Sequence, residues 1–288
     1  MAALLQAVPL RLTAWAFPPV VALPLVAIAA LAAVAVGPEA RRWRRTRGAP
    51  ARGAWLRPAG WYAGAWLTLV VALCSPIDVL GDTVSLSLHM VQHLLLGVLF
   101  PPLALLGLRG TVAARRLGGS RLVRRLERAV CSPWTGGISF AVGFGVWHLP
   151  PLYDAALRAP GVHFLEHATF VAVGVWFWWP VVRPLGRAGA GGLTDIGRLG
   201  YLAVAGVVPT VIGLILALAP RPLYAFYVHA PHLAGLPPRT DQLWAGLIMF
   251  AAGNLFNFAV FSYLFARLMR GADPDEAPGP GAPSEARW

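Results

Sequence analysis

The sequence predicts an all-α, polytopic membrane bundle of about seven transmembrane helices, with its N-terminus outside and its C-terminus inside. Three observations predict it. Of 288 residues, 57% are hydrophobic and only 12% are charged, roughly half the charge of an ordinary soluble domain. Seven apolar runs follow one another, most of about 16–25 residues, the length a helix needs to cross a bilayer. The arginines gather in alternate connections between those runs, the pattern that sets membrane orientation.

In order, the runs are Phe17–Val36, Gly60–Ser75, Val84–Gly107, Trp134–Leu149, His163–Val182, Leu199–Ala219 and Gln242–Ala266. This divides the chain into an extracytoplasmic N-terminus (1–16), a seven-helix membrane domain (17–266) and a cytoplasmic tail (267–288). The tail is rich in Pro, Gly, Ala and acidic residues and reads as disordered. The first run ends in Ala33-Val34-Ala35, a small-residue pattern of the kind signal peptidases cut. Little positive charge precedes it and a dense arginine cluster follows, so it reads as a retained N-out span.

The charges fix the orientation. The first connection holds Arg41, Arg42, Arg44, Arg45, Arg47, Arg52 and Arg57, whereas the second holds Asp78 and Asp82 and no arginine. The third holds Arg109, Arg115, Arg116, Arg121, Arg124, Arg125 and Arg128; the fourth holds Asp154 and the single Arg158. Arg183, Arg187 and Arg198 occupy the fifth, and Arg267 and Arg270 open the tail. The net charge of +12 therefore reports topology, and the reading assigns no nucleic-acid partner. Cys74 and Cys131 fall on opposite sides of the membrane in this topology, so they are not expected to form a disulfide. No P-loop, GxSxG, HExxH or dinucleotide fingerprint is present, and no enzymatic activity is predicted.

Histidine is sorted the opposite way. His89 and His93 start the third span, His148 ends the fourth, His163 and His167 start the fifth, and His229 and His232 lie in the sixth loop. All seven are expected on the outer side. His89/His93 and His163/His167 are each four residues apart, which puts both rings of a pair on one helix face. Ionisable groups at the edge of the hydrocarbon are costly and mark function. Five imidazoles from three spans, His89, His93, His148, His163 and His167, thus form a candidate metal site of the helix-bundle kind. Imidazole suits Zn, Cu, Fe and Ni.

Glu166 stands ready to orient a ligand ring or to bind directly. Gln92, Tyr153, Asp154 and Asp241 are candidate supporting groups; Asp241 suits equally the cap of its own helix. Met90 is the one soft donor beside the first pair, but it points about 100° from His89. Pro101-Pro102 should kink the third span. Asn254 and Asn257 suit helix-to-helix hydrogen bonding, Gly60 and Gly64 form a GxxxG pair, and Trp134, Trp147, Trp176, Trp178 and Trp179 suit an aromatic belt.

Ser87-Leu88-His89-Met90-Val91-Gln92-His93 with Pro101-Pro102 and Gly107 resembles the CtaG-type cytochrome c oxidase assembly factors of bacteria. So do Trp147-His148-Leu149-Pro150 with Tyr153-Asp154, His163 to His167 with Trp178-Trp179-Pro180, and Asp241-Gln242 with Gly246. The likeness runs from about Trp55 to Arg267. It implies a multi-pass protein of the bacterial plasma membrane whose partners are cytochrome c oxidase subunits and the bilayer. It also implies transient copper, held by the five histidines for delivery to the haem–copper oxidase. Two other readings stand beside it: a b-type haem cytochrome with axial histidines from different spans, and a metal-free scaffold. A di-metal oxygenase would need a denser array of histidines and carboxylates than the spacing shows.

Overall fold

The computed structural model describes residues 7–8, 13–46, 55–186 and 193–270. Arg47, Arg52, Arg187 and the tail from 271 onward lie outside the described residues, and with them the expectation of a disordered tail. Described residues are almost entirely helical. The one β element is a two-residue parallel pair, β1 (Ala7–Val8) with β2 (His232–Leu233).

Among the described residues, six helices are long and apolar enough to cross a membrane, and a seventh crossing appears if one bent pair counts as a single span. The first is α1 (Pro19–Thr46), which packs on α2 (Leu56–Cys74). α2 runs on through the short α3 (Pro76–Gly81), extending the second span beyond Ser75, where the expected run stops. Ser75 makes this continuation: its Oγ caps Ile77 N while Pro76 sits at the first helical position, where a missing N–H costs nothing.

The third span is α4 (Leu86–Leu94), a π-helical turn at 95–99, and α5 (Phe100–Leu108). Pro101 and Pro102 explain the turn. Neither has an N–H for the carbonyls of Gly97 and Val98, so the ladder widens and Phe100 N reaches back to Leu95 O. The kink the prolines predict thus takes the form of a π turn that begins two residues after His93. α6 (Val112–Gly119) and α7 (Arg121–Val130) follow at the arginine-bearing end, where Glu39 of α1 accepts from Val112 N and pairs with Arg115.

The fourth crossing is the bent pair. α7 and α8 (Pro133–Trp147) meet at 53°, because Ser132 and Pro133 start a fresh helix there. α8 alone is 15 residues long, which is why its run reads as short. α9 (Pro150–Arg158) covers its end, and α10 (Pro160–Val182) returns. α11 (Asp195–Ala205) and α12 (Val207–Leu218) form the next span, followed by the short α13 (Ala225–His229) and then α14 (Pro238–Met269). That last helix begins before Gln242 and ends beyond Ala266, the limits its apolar run suggests.

Two contacts of glycine against backbone set the helix spacing. A Cβ on Gly174 of α10 would press on Gly97 O in the π turn, and one on Gly246 of α14 would strike the backbone of Gly213 and Ala217 in α12. Gly60, by contrast, has nothing within 4 Å of its Cβ position, so the GxxxG pair is not the packing motif. Asn254 bonds Thr210 Oγ1 across α12 and α14 at 2.9 Å, the role expected for it. Trp178 and Trp147 are buried and belong to the core, not to a belt. Replacing Gly246 by Leu should lower stability by about 1–3 kcal/mol, the usual cost of overpacking, whereas Gly60→Ala should not destabilise. Thermal unfolding in detergent checks both.

Candidate metal centre

α4 and α10 carry the centre between them. α4 starts at Leu86 because its free N–H groups find acceptors: Asp241 of α14 takes Leu86 N at 2.6 Å and Ser87 N at 3.1 Å, and Ser85 caps Leu88 N. Asp241 therefore caps a helix other than its own and fixes where His89 and His93 stand. Gln92, on the neighbouring face, donates to Ala72 O (2.9 Å) and Asp78 Oδ1 (2.6 Å), tying α4 to α2 and α3. α10 starts at Pro160 and presents His163, Glu166 and His167 one turn in.

The rings converge. His89 and His93 lie 4.3 Å apart by centroid, His163 and His167 4.1 Å. Across the two helices, His89 is 5.4 Å from His163 and 6.1 Å from His167, and His93 is 6.0 Å from His167. Glu166 sits among them, fully buried. Its Oε1 is 3.6 Å from His93 Nε2, and its Oε2 is 3.9 Å from both His89 Nε2 and His163 Nε2. One donor atom from each of His89, His93, Glu166 and His167 falls within 4.8 Å of every other; Asp82, His89 and His163 form a second such set.

These separations are too long for hydrogen bonds and close to the ~3.4 Å between donors around a tetrahedral ion with bonds of about 2.1 Å. Nε2 of His89, His93, His163 and His167 and both Glu166 oxygens are buried without a hydrogen-bond partner in the protein. A buried polar atom left so costs about 1–3 kcal/mol. Six of them together rival the ~5–15 kcal/mol net stability of a domain. A cation among His89, His93, Glu166 and His167 would meet several of these atoms at once and remove much of that cost, so the donor set fits a metal ion.

The tautomer of His89 is fixed from outside. Tyr227 donates its hydroxyl to Gly81 O at 2.6 Å, so its oxygen accepts from His89 Nδ1–H at 3.1 Å. Burial holds the Tyr227 phenol well above its ordinary pKa, which keeps that proton in place. Nε2 of His89 is then the lone-pair nitrogen facing Glu166, the arrangement in which an outer partner orients a metal-binding ring. Asp82 is pushed up to about 8 by burial, with the Asp78 charge adding to it. Near neutral pH, a nearby cation is what would keep its carboxylate ionised.

Not every predicted residue joins the set. His148 donates Nδ1–H to Phe144 O at 2.6 Å, stacks on Phe144, and lies 5.8 Å from His93, beside the centre but outside both donor sets. Tyr153 packs its ring 5.3 Å from His89 as a wall. Asp154 instead accepts from Phe226 N (3.1 Å) and pairs with Arg158, holding the short helix α13 that bears Tyr227. Met90 is buried in the apolar core. His229 is exposed and bonds Ala225 O within its own helix; His232 is buried in β2. Neither belongs to a donor set.

Asp82 and Tyr227 are the residues that sequence reasoning passed over. Asp82 looks like loop charge, and Tyr227 sits 138 residues from the ring it holds. On one flank the centre meets a groove of about 450 Å³ between α1 and α10, lined by Leu23, Ile28 and Phe164 and headed by Asp78, Asp82, His163 and His167.

Fold and site together define a polytopic helical membrane protein with a buried carboxylate ringed by imidazoles at one end of its bundle. The chain belongs to the cytochrome c oxidase caa3 assembly factor family (Caa3_CtaG), whose family model matches residues 39–271. No curated protein and no solved structure matches it significantly. Membership makes the protein a cytochrome c oxidase assembly factor by family and associates it with that oxidase. If Tyr227 orients His89 for a metal, Tyr227→Phe should weaken metal binding about 10–100-fold, the usual cost of losing an outer partner. Competition with a calibrated chelator measures it.

Proposed function

We propose that the protein binds copper at His89, His93, Glu166 and His167 and passes it to the haem–copper oxidase during assembly. The carrying observation is the buried convergence of three imidazole nitrogens and a carboxylate with no other partners. A set of nitrogens and oxygens without thiolate suits copper among the metals that imidazole takes. Copper is chosen among them because the family assembles an oxidase. His148 stands close enough to receive or release an ion as neighbouring rings shift. The role is that of a chaperone and not an enzyme. The crowding of the rings favours an ion over the planar macrocycle that a b-type haem reading requires.

Copper analysis of detergent-purified protein, with oxidase activity in cells beside it, tests the proposal. Wild type should retain copper through desalting, and His93→Ala with His167→Ala should lose both the copper and the oxidase activity. Normal oxidase activity in a variant unable to bind copper would leave the scaffold reading standing instead.

The same reading places the centre at the outer face of the plasma membrane, with residues 1–16 outside and 267–288 inside. Support comes from the charges and from the pairing of β1 with β2. That pairing puts the N-terminal segment at the same end as the connection before α14, as an even number of crossings between them requires. Arg221 of that connection and Arg239 in the first turn of α14 run against the charge pattern, although Arg239 is engaged in a bond to Ala217 O. A fluorescent protein fused to the C-terminus should fold and glow in the cytoplasm. An alkaline phosphatase fused there should be inactive; the reverse pair of results would invert the topology.

A further inference from the structure

We propose that α7 lies in the headgroup layer at the arginine-bearing end of the bundle and binds anionic phospholipid there. The proposal does not depend on the metal reading.

α7 is a helix that the fold leaves uncovered. None of its ten residues is buried. At about 100° per residue, Leu122, Val123, Leu126, Ala129 and Val130 fall on one face, and Arg121, Arg124, Arg125 and Arg128 on the other. A helix on a water-washed surface turns its apolar face toward the core. Here Leu122 and Leu126 are 67% and 55% exposed, so that face is offered to something outside the bundle. Two contacts hold it so. Glu127 accepts from Trp179 Nε1 of α10 at 2.9 Å, and Arg124 donates to Gly118 O and Gly119 O of α6. Arg124 and Glu127 share one side of α7, and their bonds turn the leucines away from the bundle.

The occupant follows from what the leucine face joins. Leu122, Leu126 and Val130 are continued at every fourth residue by Trp134, Ile138, Val142 and Val146 of α8, all exposed. On a membrane-crossing helix such a stripe faces acyl chains, so the apolar face of α7 extends a lipid-facing surface. Fifteen residues of α8 rise about 22 Å, short of the ~30 Å hydrocarbon layer, and α7 turns away from them at 53°. Four arginines keep α7 out of the hydrocarbon, while its leucines favour leaving water. The interface satisfies both, with leucines among the first acyl carbons and guanidiniums at the phosphates. Arg121, Arg125 and Arg128 are exposed, and a guanidinium fork matches phosphate oxygens in pairs. With Glu127 as the only acid on α7, the charge selects anionic headgroups over zwitterionic ones.

Full-length protein in detergent, incubated with equal amounts of phosphatidylglycerol and phosphatidylcholine and then gel-filtered, tests this by mass spectrometry of the retained lipid. Each arginine near an anionic surface strengthens binding about fivefold. Wild type should therefore retain about tenfold more phosphatidylglycerol than phosphatidylcholine, and Arg121→Gln with Arg125→Gln and Arg128→Gln should lower that ratio at least threefold. These side chains are exposed, so the thermal midpoint should not move. A wild-type ratio near one, or a ratio unchanged in the triple variant, would overturn the lipid site. Placement is tested in nanodiscs of the same two lipids, with a fluorophore on Leu126→Cys or on Arg125→Cys, each in a Cys131→Ser background. Iodide should quench the label at 126 several-fold less than the label at 125. Equal quenching would overturn the interfacial placement and leave the leucine face to a protein partner.

Discussion

Everything about this site depends on burying Glu166. An ionised carboxylate taken out of water needs positive charge or strong donors beside it, and the groups facing Glu166 are the Nε2 atoms of His89, His93 and His163. His89 Nδ1 is occupied by Tyr227, so at this ring the nitrogen facing Glu166 has a lone pair to offer and no proton. A carboxylate opposed by lone pairs is relieved either by a cation between them or by taking up a proton. That electrostatic conflict, more than the number of histidines, gives the cluster its chemical meaning.

The rest of the bundle serves to hold that conflict in place. Gly174 lets α10 approach the π turn at Gly97, just below His93. Pro101 and Pro102 create the turn by removing two donors from the ladder. Asp241 anchors the start of α4, while Gln92 ties its flank to Asp78. At the opposite end Asp195 joins Arg198 and Arg267, and Glu39 joins α1 to α6. At the arginine end Asp195 and Glu39 are thus paired with arginines, whereas at the histidine end both Glu166 oxygens are buried without a hydrogen-bond partner.

Much of this was legible in the chain itself. Run lengths give the spans, and four-residue spacing gives two ring pairs on helix faces, His89/His93 and His163/His167, which the fold then sets against each other. Glu166 was visible as a neighbour, but the spacing does not say that its carboxylate lies between the helices; that depends on the rotation of α10 set by Gly174. The bend between α7 and α8 was hidden because Ser132-Pro133 lies inside a polar-to-apolar transition that reads as a single boundary. Asp82, Tyr227 and the cross-helix cap by Asp241 were not readable as partners of the site. Each acts across a long sequence separation, and nothing local distinguishes a loop aspartate or a loop tyrosine that folds back from one facing water.

Position within the bundle bears on how such a site would work. A centre sealed at the middle of the membrane would trap its ion, and one on the surface would lose it to any competing ligand. Here the inner donors are closed off by Tyr153 and Phe170, while Asp82 and His163 stand at the mouth of an apolar groove. An ion at such a mouth would stay open to exogenous ligands, and ligand exchange proceeds most readily where a coordination position is free. Under the proposed copper reading, release to a client would need no unfolding of the bundle, only a stronger ligand presented along α1 and α10. The donors thus pass from buried to partly exposed toward one side of the bundle, an arrangement that, under the proposed copper reading, would favour transfer over storage.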